Sequence, residues 1–156
     1  MSREMDITKS ILEECKMHLA RMEYAYSKIS FLIPLNGKKI EGLSQEEITH
    51  IDQYIFRFSK LQVAIGQKLF KAVLSILGEP VENKAFIDIF NRLEQLGIIE
   101  NHVLWQELRI IRNEASHEYG EDSHELAEKL TALLNAKDSL KNYLESIVNY
   151  LKNRKF

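Results

Sequence analysis

A permanent cation, an imidazole and a phenol fall within one run of eight residues, Arg112, Asn113, Glu114, Ala115, Ser116, His117, Glu118 and Tyr119. Arginine keeps its proton in any protein and presents a planar fork of donors that braces a phosphate. Histidine gives or takes a proton near neutral pH. Together the two suit phosphodiester chemistry. The same residues also have a purely structural reading, because cations are favoured in the last turn of a helix, where Arg112 and His117 would meet unpaired carbonyls. Gly120 would then stop the helix, with Tyr119 packed beside it. Both readings require the run to end a helix.

The elements that carry it follow from the helix breakers. Pro34, Gly37 and Gly42 form one cluster, Gly78 and Pro80 another, and Gly97 and Gly120 stand alone. Five helices are expected between them. The first runs from near Asp6 to Phe31, with Leu12, Cys15, Leu19, Met22, Tyr26 and Ile29 on one face. A capping box at Ser44 and Glu47 opens the second, the longest, which continues to Leu77. Its stripe is Ile48, Ile51, Ile55, Phe58, Ile65, Leu69, Ala72 and Ile76, and Gly66 within it marks a bend or a close helix crossing, the bend being preferred. The third helix spans about Asn83 to Gln95. The fourth spans about His102 to Ser116, burying Leu104, Leu108, Ile111 and Ala115 and aligning Arg109, Arg112 and Ser116 on an adjacent stripe. A fifth starts at Asp122 or Ser123 and runs unbroken nearly to the C terminus. Leu35 to Leu43 is expected to be a mobile loop. No strand-like alternation competes, so the whole 1–156 chain is expected to be a single all-α domain, an up-and-down bundle of about five helices.

Composition narrows the function classes. The chain has 156 residues, 45% hydrophobic and 28% charged, with a formal net charge of −2, and so has no general attraction for nucleic acid. An RNA-facing surface would have to be local, beginning at Arg109 and Arg112, and the Lys152 to Lys155 run either extends it or is a solvated helix end. The single cysteine, Cys15, fits a core position in a reducing interior and excludes an intrachain disulfide. No metal site is expected, because no set of histidines and carboxylates has ligand spacing. The polar, acidic N terminus does not resemble a secretion signal, and no long apolar run suggests a membrane span, so a cytoplasmic protein is expected. Trp105 reads as a core residue or as an anchor at a subunit interface.

Arg112 followed directly by Asn113, His117 after four intervening residues and Tyr119 two further on resembles the signature of the HEPN superfamily. Within it, the HepT-type toxins encoded beside minimal nucleotidyltransferases are the most similar. Phe86 to Phe90, Leu96 to Ile99 and Trp105 leading into Arg112 share that layout, so the likeness covers the middle half of the chain and little of its first 40 residues. The resemblance implies a HEPN-like bundle acting as a homodimeric, metal-independent ribonuclease on an RNA substrate, without a cofactor, through Arg112 and His117. It also implies a cognate nucleotidyltransferase antitoxin that attaches AMP to Tyr119.

Five helical steps separate Arg112 from His117, which sets them about 140° apart on an ideal helix. Either the helix loosens before His117, or a second copy of the chain completes the site. Two symmetry-related His117 residues would divide the roles of base and acid while Arg112 neutralises charge building on phosphorus. Asn113, four before His117, and Ser116 are either donors to the phosphate or to His117, or ordinary exposed polar residues. His18, His50 and His102 have no catalytic neighbours in sequence. Two rival functions follow from the same residues: a non-catalytic nucleotide-binding subunit of a minimal nucleotidyltransferase, and an interaction bundle that uses its heptad-spaced faces.

Overall fold

The computed structural model describes residues 2–115 and 122–155, and it is an all-α bundle without strands among them. Helix α1 (Arg3–Ile29) is opened by the Ser2 hydroxyl, which accepts from the Met5 amide at 3.1 Å, with Glu4 and Asp6 in the first turn favoured by the helix dipole. Its buried face is Thr8, Cys15, His18, Met22, Ala25 and Ile29, packed along the helix that begins at Gln45. Leu12, Leu19 and Tyr26 flank that face half-buried. Cys15 is in the core as expected, and burial pushes its thiol up to about 12.

The segment expected as a mobile loop contains a short helix, α2 (Gly37–Glu41), capped by Asn36, whose Oδ1 accepts from the Lys39 amide at 2.8 Å. Lys39 Nζ donates back to the carbonyls of Leu32 and Pro34 at 3.0 and 2.9 Å. The Leu35 amide donates to Thr131 Oγ1 at 3.0 Å, which pins the segment to the far end of the chain. Polar groups supply these ties, so hydrophobic periodicity carried no trace of them.

The capping box at Ser44 is formed: its hydroxyl accepts from the Glu47 amide at 3.0 Å, and Glu47 Oε1 accepts from the Ser44 amide at 2.8 Å. It opens α3 (Gln45–Val63). The expected single helix then widens into a π-helical turn, Ala64–Leu69, where the Phe70 amide bonds to the Ile65 carbonyl, before α4 (Phe70–Ile76) resumes. A π turn holds one extra residue and so rotates everything beyond it by about 100°. The expected inner set of Leu69, Ala72 and Ile76 is accordingly replaced by Leu69, Phe70, Val73 and Leu74.

Helix α5 (Phe86–Gln95) starts three residues later than expected, because Asn83 adopts a left-handed φ of 62° that no helix continues. Helix α6 (His102–Ala115) follows. The expected fifth helix is two, α7 (Ser123–Asn135) and α8 (Lys137–Asn153), divided at Ala136 without glycine or proline. There the buried Tyr54 hydroxyl donates to the Leu133 carbonyl at 2.7 Å and competes for an acceptor the helix would use itself. The break is therefore imposed by α3.

Behind α6 lies a cluster of rings. Trp105 sits 5.2 Å from Phe70 and 5.0 Å from Tyr143, centroid to centroid, and Phe86 and Phe90 complete the group. Tyr143 anchors it by donating its hydroxyl to the Asn101 carbonyl at 2.7 Å. Edge-on and offset contacts of this kind add to the gain from burial, and they hold α4, α5 and α8 against the back of α6.

Candidate functional site

Trp105, Leu108 and Ala115 are the buried residues of α6, while Leu104 and Ile111 pack half-buried beside them. Helical spacing then carries Arg109 and Arg112 together onto the side facing α3. Between the two helices lies a cleft of about 150 Å³, lined by Gln62, Gly66 and Gln67 on one wall and by Arg109 and Arg112 on the other. Phe86 and Trp105 also face it.

The two guanidinium groups differ in setting. Arg109 is exposed and lies over the Phe86 ring at 6.0 Å, within cation–π range. Arg112 is half-buried, and its Nη2 donates to Asn113 Oδ1 at 3.0 Å. Burial first, and the neighbouring charge of Arg109 second, lower the Arg112 pKa below the ordinary arginine value. Two like charges beside a partly dehydrated cleft both gain from an anion between them. The two cations form a local positive patch on a chain whose formal net charge is −2. The Lys152 to Lys155 run does not extend it: Lys152 lines a different cleft, between α1 and α8.

The structure thus brings Arg109, Arg112 and Asn113 together, and Asn113 presents its carbonyl oxygen to Arg112. Ser116, His117 and Tyr119 lie outside the described residues. Trp105 is 2% exposed, a core residue rather than a surface anchor. His124 sits in the opening turn of α7, with its Nε2 3.1 Å from Glu128. Among the described residues, no group of three or more histidine, cysteine or acidic side chains is placed to hold a metal ion, and no helix is long and apolar enough to cross a membrane.

Two arrangements escaped the sequence reading. His18 does have neighbours: its Nε2 lies 3.3 Å from Glu14 Oε2, and its Nδ1 lies 3.0 Å from Arg57 Nη1 of α3. Lys68 Nζ donates to Glu14 Oε1 at 3.0 Å and completes the chain of contacts. The second is Gln62. It is 2% exposed, and neither its amide nitrogen nor its amide oxygen has a hydrogen-bond partner. The signal was present, since Gln62 lies four residues after Phe58 and three before Ile65 on an otherwise apolar stripe.

The wall opposite Arg109 depends on the absence of a side chain. A Cβ at Gly66 would lie 2.8 Å from Trp105 Cζ2, so here backbone packs directly against the indole. Gly66 therefore fits the close crossing, the less favoured of its two expected roles, and it lies within the π turn. Comparison with family models, with characterised proteins and with solved structures found no match to this chain.

Proposed function

We propose that the chain is a HEPN-type toxin, a metal-independent endoribonuclease that acts as a homodimer and is restrained by a nucleotidyltransferase antitoxin. The observation that carries this reading is the pairing of Arg109 and Arg112 at one cleft, with Arg112 partly dehydrated. In the proposed reaction, His117 removes the proton of an RNA 2′-hydroxyl. The oxygen attacks phosphorus, the bond to the 5′-oxygen breaks, and His117 of a second copy protonates the departing oxygen, leaving a cyclic phosphate and a 5′-hydroxyl. Arg112 neutralises the charge that builds on the phosphoryl oxygens, with Arg109, Asn113 and Ser116 as further phosphate contacts. The dimer reading draws support from Val103 and Ile110, seven residues apart on one face of α6 and 54% and 56% exposed.

The antitoxin would transfer AMP from ATP to the Tyr119 hydroxyl, releasing pyrophosphate, and the new phosphate would compete for Arg112. A cytoplasmic location goes with this reading. The test is RNA degradation in EDTA by the purified protein: His117→Ala and Arg112→Ala are expected to abolish it with the dimer intact, and cleavage retained by either variant refutes the mechanism. Mass spectrometry after co-expression with the partner checks Tyr119, and an adduct at another residue refutes that assignment. The two guanidinium groups at one cleft also fit a second reading, a nucleotide-binding subunit without catalysis, in which nucleotide affinity survives His117→Ala.

A further inference from the structure

The seam between α1 and α3 carries a second cationic surface. Arg57 anchors it: its Nη1 lies 3.0 Å from His18 Nδ1, and burial first, with the charge of Arg21 second, lowers its pKa below the ordinary arginine value. Lys60 stands one turn further along α3, and Arg21 and Lys28 lie two turns apart on α1. Arg21, Lys28 and Lys60 are exposed, and none of them has a carboxylate partner among the described residues. Acids border the stripe: Glu14 is paired with Lys68 at 3.0 Å, Glu46 lies 3.8 Å from His50, and Asp52 is one turn before Phe56. Exposed like charges without counter-charges repel one another, and an anionic partner relieves that repulsion.

Rings alternate with these cations. Phe56 is 49% and Tyr24 60% exposed, whereas Tyr54, Phe58, Phe70 and Phe90 are fully buried. The Arg57 guanidinium and the Lys60 ammonium lie 5.1 and 5.4 Å from the centre of the Phe56 ring, and Lys28 Nζ lies 5.3 Å from that of Tyr24. A cation beside an exposed ring matches one nucleotide of a single strand, in which phosphate and unstacked base alternate. A duplex hides its base faces, and an acidic peptide has none. The stripe also leads to the cleft already described: Val63, 37% exposed, is two turns beyond Phe56 on the same side of α3 and lines that cleft with Arg109 and Arg112.

We infer that the face shared by α1 and α3 is a track for single-stranded RNA, on which Phe56 and Tyr24 stack bases while Arg21, Lys28, Arg57 and Lys60 hold phosphates. The track delivers the strand across the outer side of α3 to the Arg109 and Arg112 cleft. That destination rests on the ribonuclease reading proposed above, and the binding itself does not. Long single strands are favoured over short ones with no base specified, since every base offers a face to a ring.

Fluorescence anisotropy of the full-length protein with a labelled oligo(dT) of about 15 nucleotides reads the track alone, because this strand lacks the 2′-hydroxyl needed for cleavage. The double variant Arg21→Gln/Lys60→Gln is expected to bind about tenfold more weakly, and its slope of log affinity against log salt to fall by about 1.4, as two phosphate contacts of about 0.7 each are lost. Phe56→Leu, which keeps an apolar side chain without a ring, is expected to weaken binding about tenfold with the slope unchanged. All three positions are exposed, and circular dichroism checks that the variants keep the fold. No binding of oligo(dT) by the wild type, or a double variant with unchanged affinity and slope, overturns the inference. Binding of a duplex of the same length, or of poly-glutamate, as tight as that of oligo(dT) also overturns it, the first in favour of a duplex surface and the second in favour of an acidic protein. Oligo(dT) binding that the double variant loses, in a protein that cleaves no RNA, overturns the nuclease alone. Cleavage of long RNA that proceeds equally well in the double variant overturns the track alone.

Discussion

Two polar side chains are buried on different faces of the α3 region, and the chain treats them in opposite ways. His18, on α1, is 6% exposed, and both its ring nitrogens are occupied, by Glu14 on its own helix and by Arg57 of α3. Gln62, five residues beyond Arg57 and so about 140° around the helix, is 2% exposed and has no partner at either amide atom. Burial alone therefore says little about role. What separates the two is satisfaction of the side chain itself: both ring nitrogens of His18 are engaged and tie α1 to α3, with Arg57 Nε the one atom of that seam buried without a partner, while the Gln62 amide is buried with neither atom engaged.

That contrast can be broken at several points. The largest effect is expected for Trp105→Ala, which removes the indole at the centre of the ring cluster and the wall of the cleft. A loss of about 3–5 kcal/mol should appear in guanidinium unfolding followed by circular dichroism, and a loss under about 1 kcal/mol would show that the rings are not the support of α6. His18→Ala is expected to cost about 1–3 kcal/mol, because Glu14 and Arg57 lose a partner in a part-buried seam.

The same histidine sets a pH dependence. Burial, ahead of the charges of Arg57 and Lys60, holds its pKa below the ordinary 6.5, so the unfolded chain takes up the proton more readily. Its contribution is complete above about pH 6.5 and declines as pH falls through that value towards the lowered folded one. Glu14, held below its usual 4.5 chiefly by the Lys68 hydrogen bond, gives up its share only further down. Urea midpoints measured from pH 8 to pH 4 should show the upper decline in the wild type and not in His18→Ala.

Gly66→Ala places a methyl group 2.8 Å from Trp105 Cζ2. Overpacking of about 1–3 kcal/mol outweighs the gain of about 1 kcal/mol in helix propensity. A lowered melting temperature with a shifted Trp105 emission is the expected result, and a rise in melting temperature would mean that the indole moves aside freely. The smallest effect sharpens the comparison most: Gln62→Met should leave stability within about 0.5 kcal/mol or raise it, since no hydrogen bond is lost. A drop of more than about 1 kcal/mol would place Gln62 with His18, as a group the fold already satisfies.

Much of this architecture is legible in the amino-acid sequence alone. The Ser44 capping box, the Gly97 stop and the inner faces of α1 and α6 follow from patterns within one element, where propensity and periodicity act. The departures come from between elements. Tyr54 divides α7 from α8 across 79 residues of sequence, and Thr131 captures Leu35 across 96. At the site, Arg109 and Arg112 were legible because both lie on α6. Gln62 and Gly66 were not assigned to it, because their meaning depends on which helix lies opposite.

The wide turn at Ala64–Leu69 has a consequence for how this chain tolerates change in length. Deleting one residue there would restore an ordinary helical repeat and, judged locally, give a straighter rod. It would also turn the distal half by about 100°, carrying Phe70 and Val73 towards water and pulling Leu69 out of phase. Two neighbouring stretches of chain are thus geared to different partners through a single surplus residue, and a shortened variant should fail to assemble even though every remaining side chain is native.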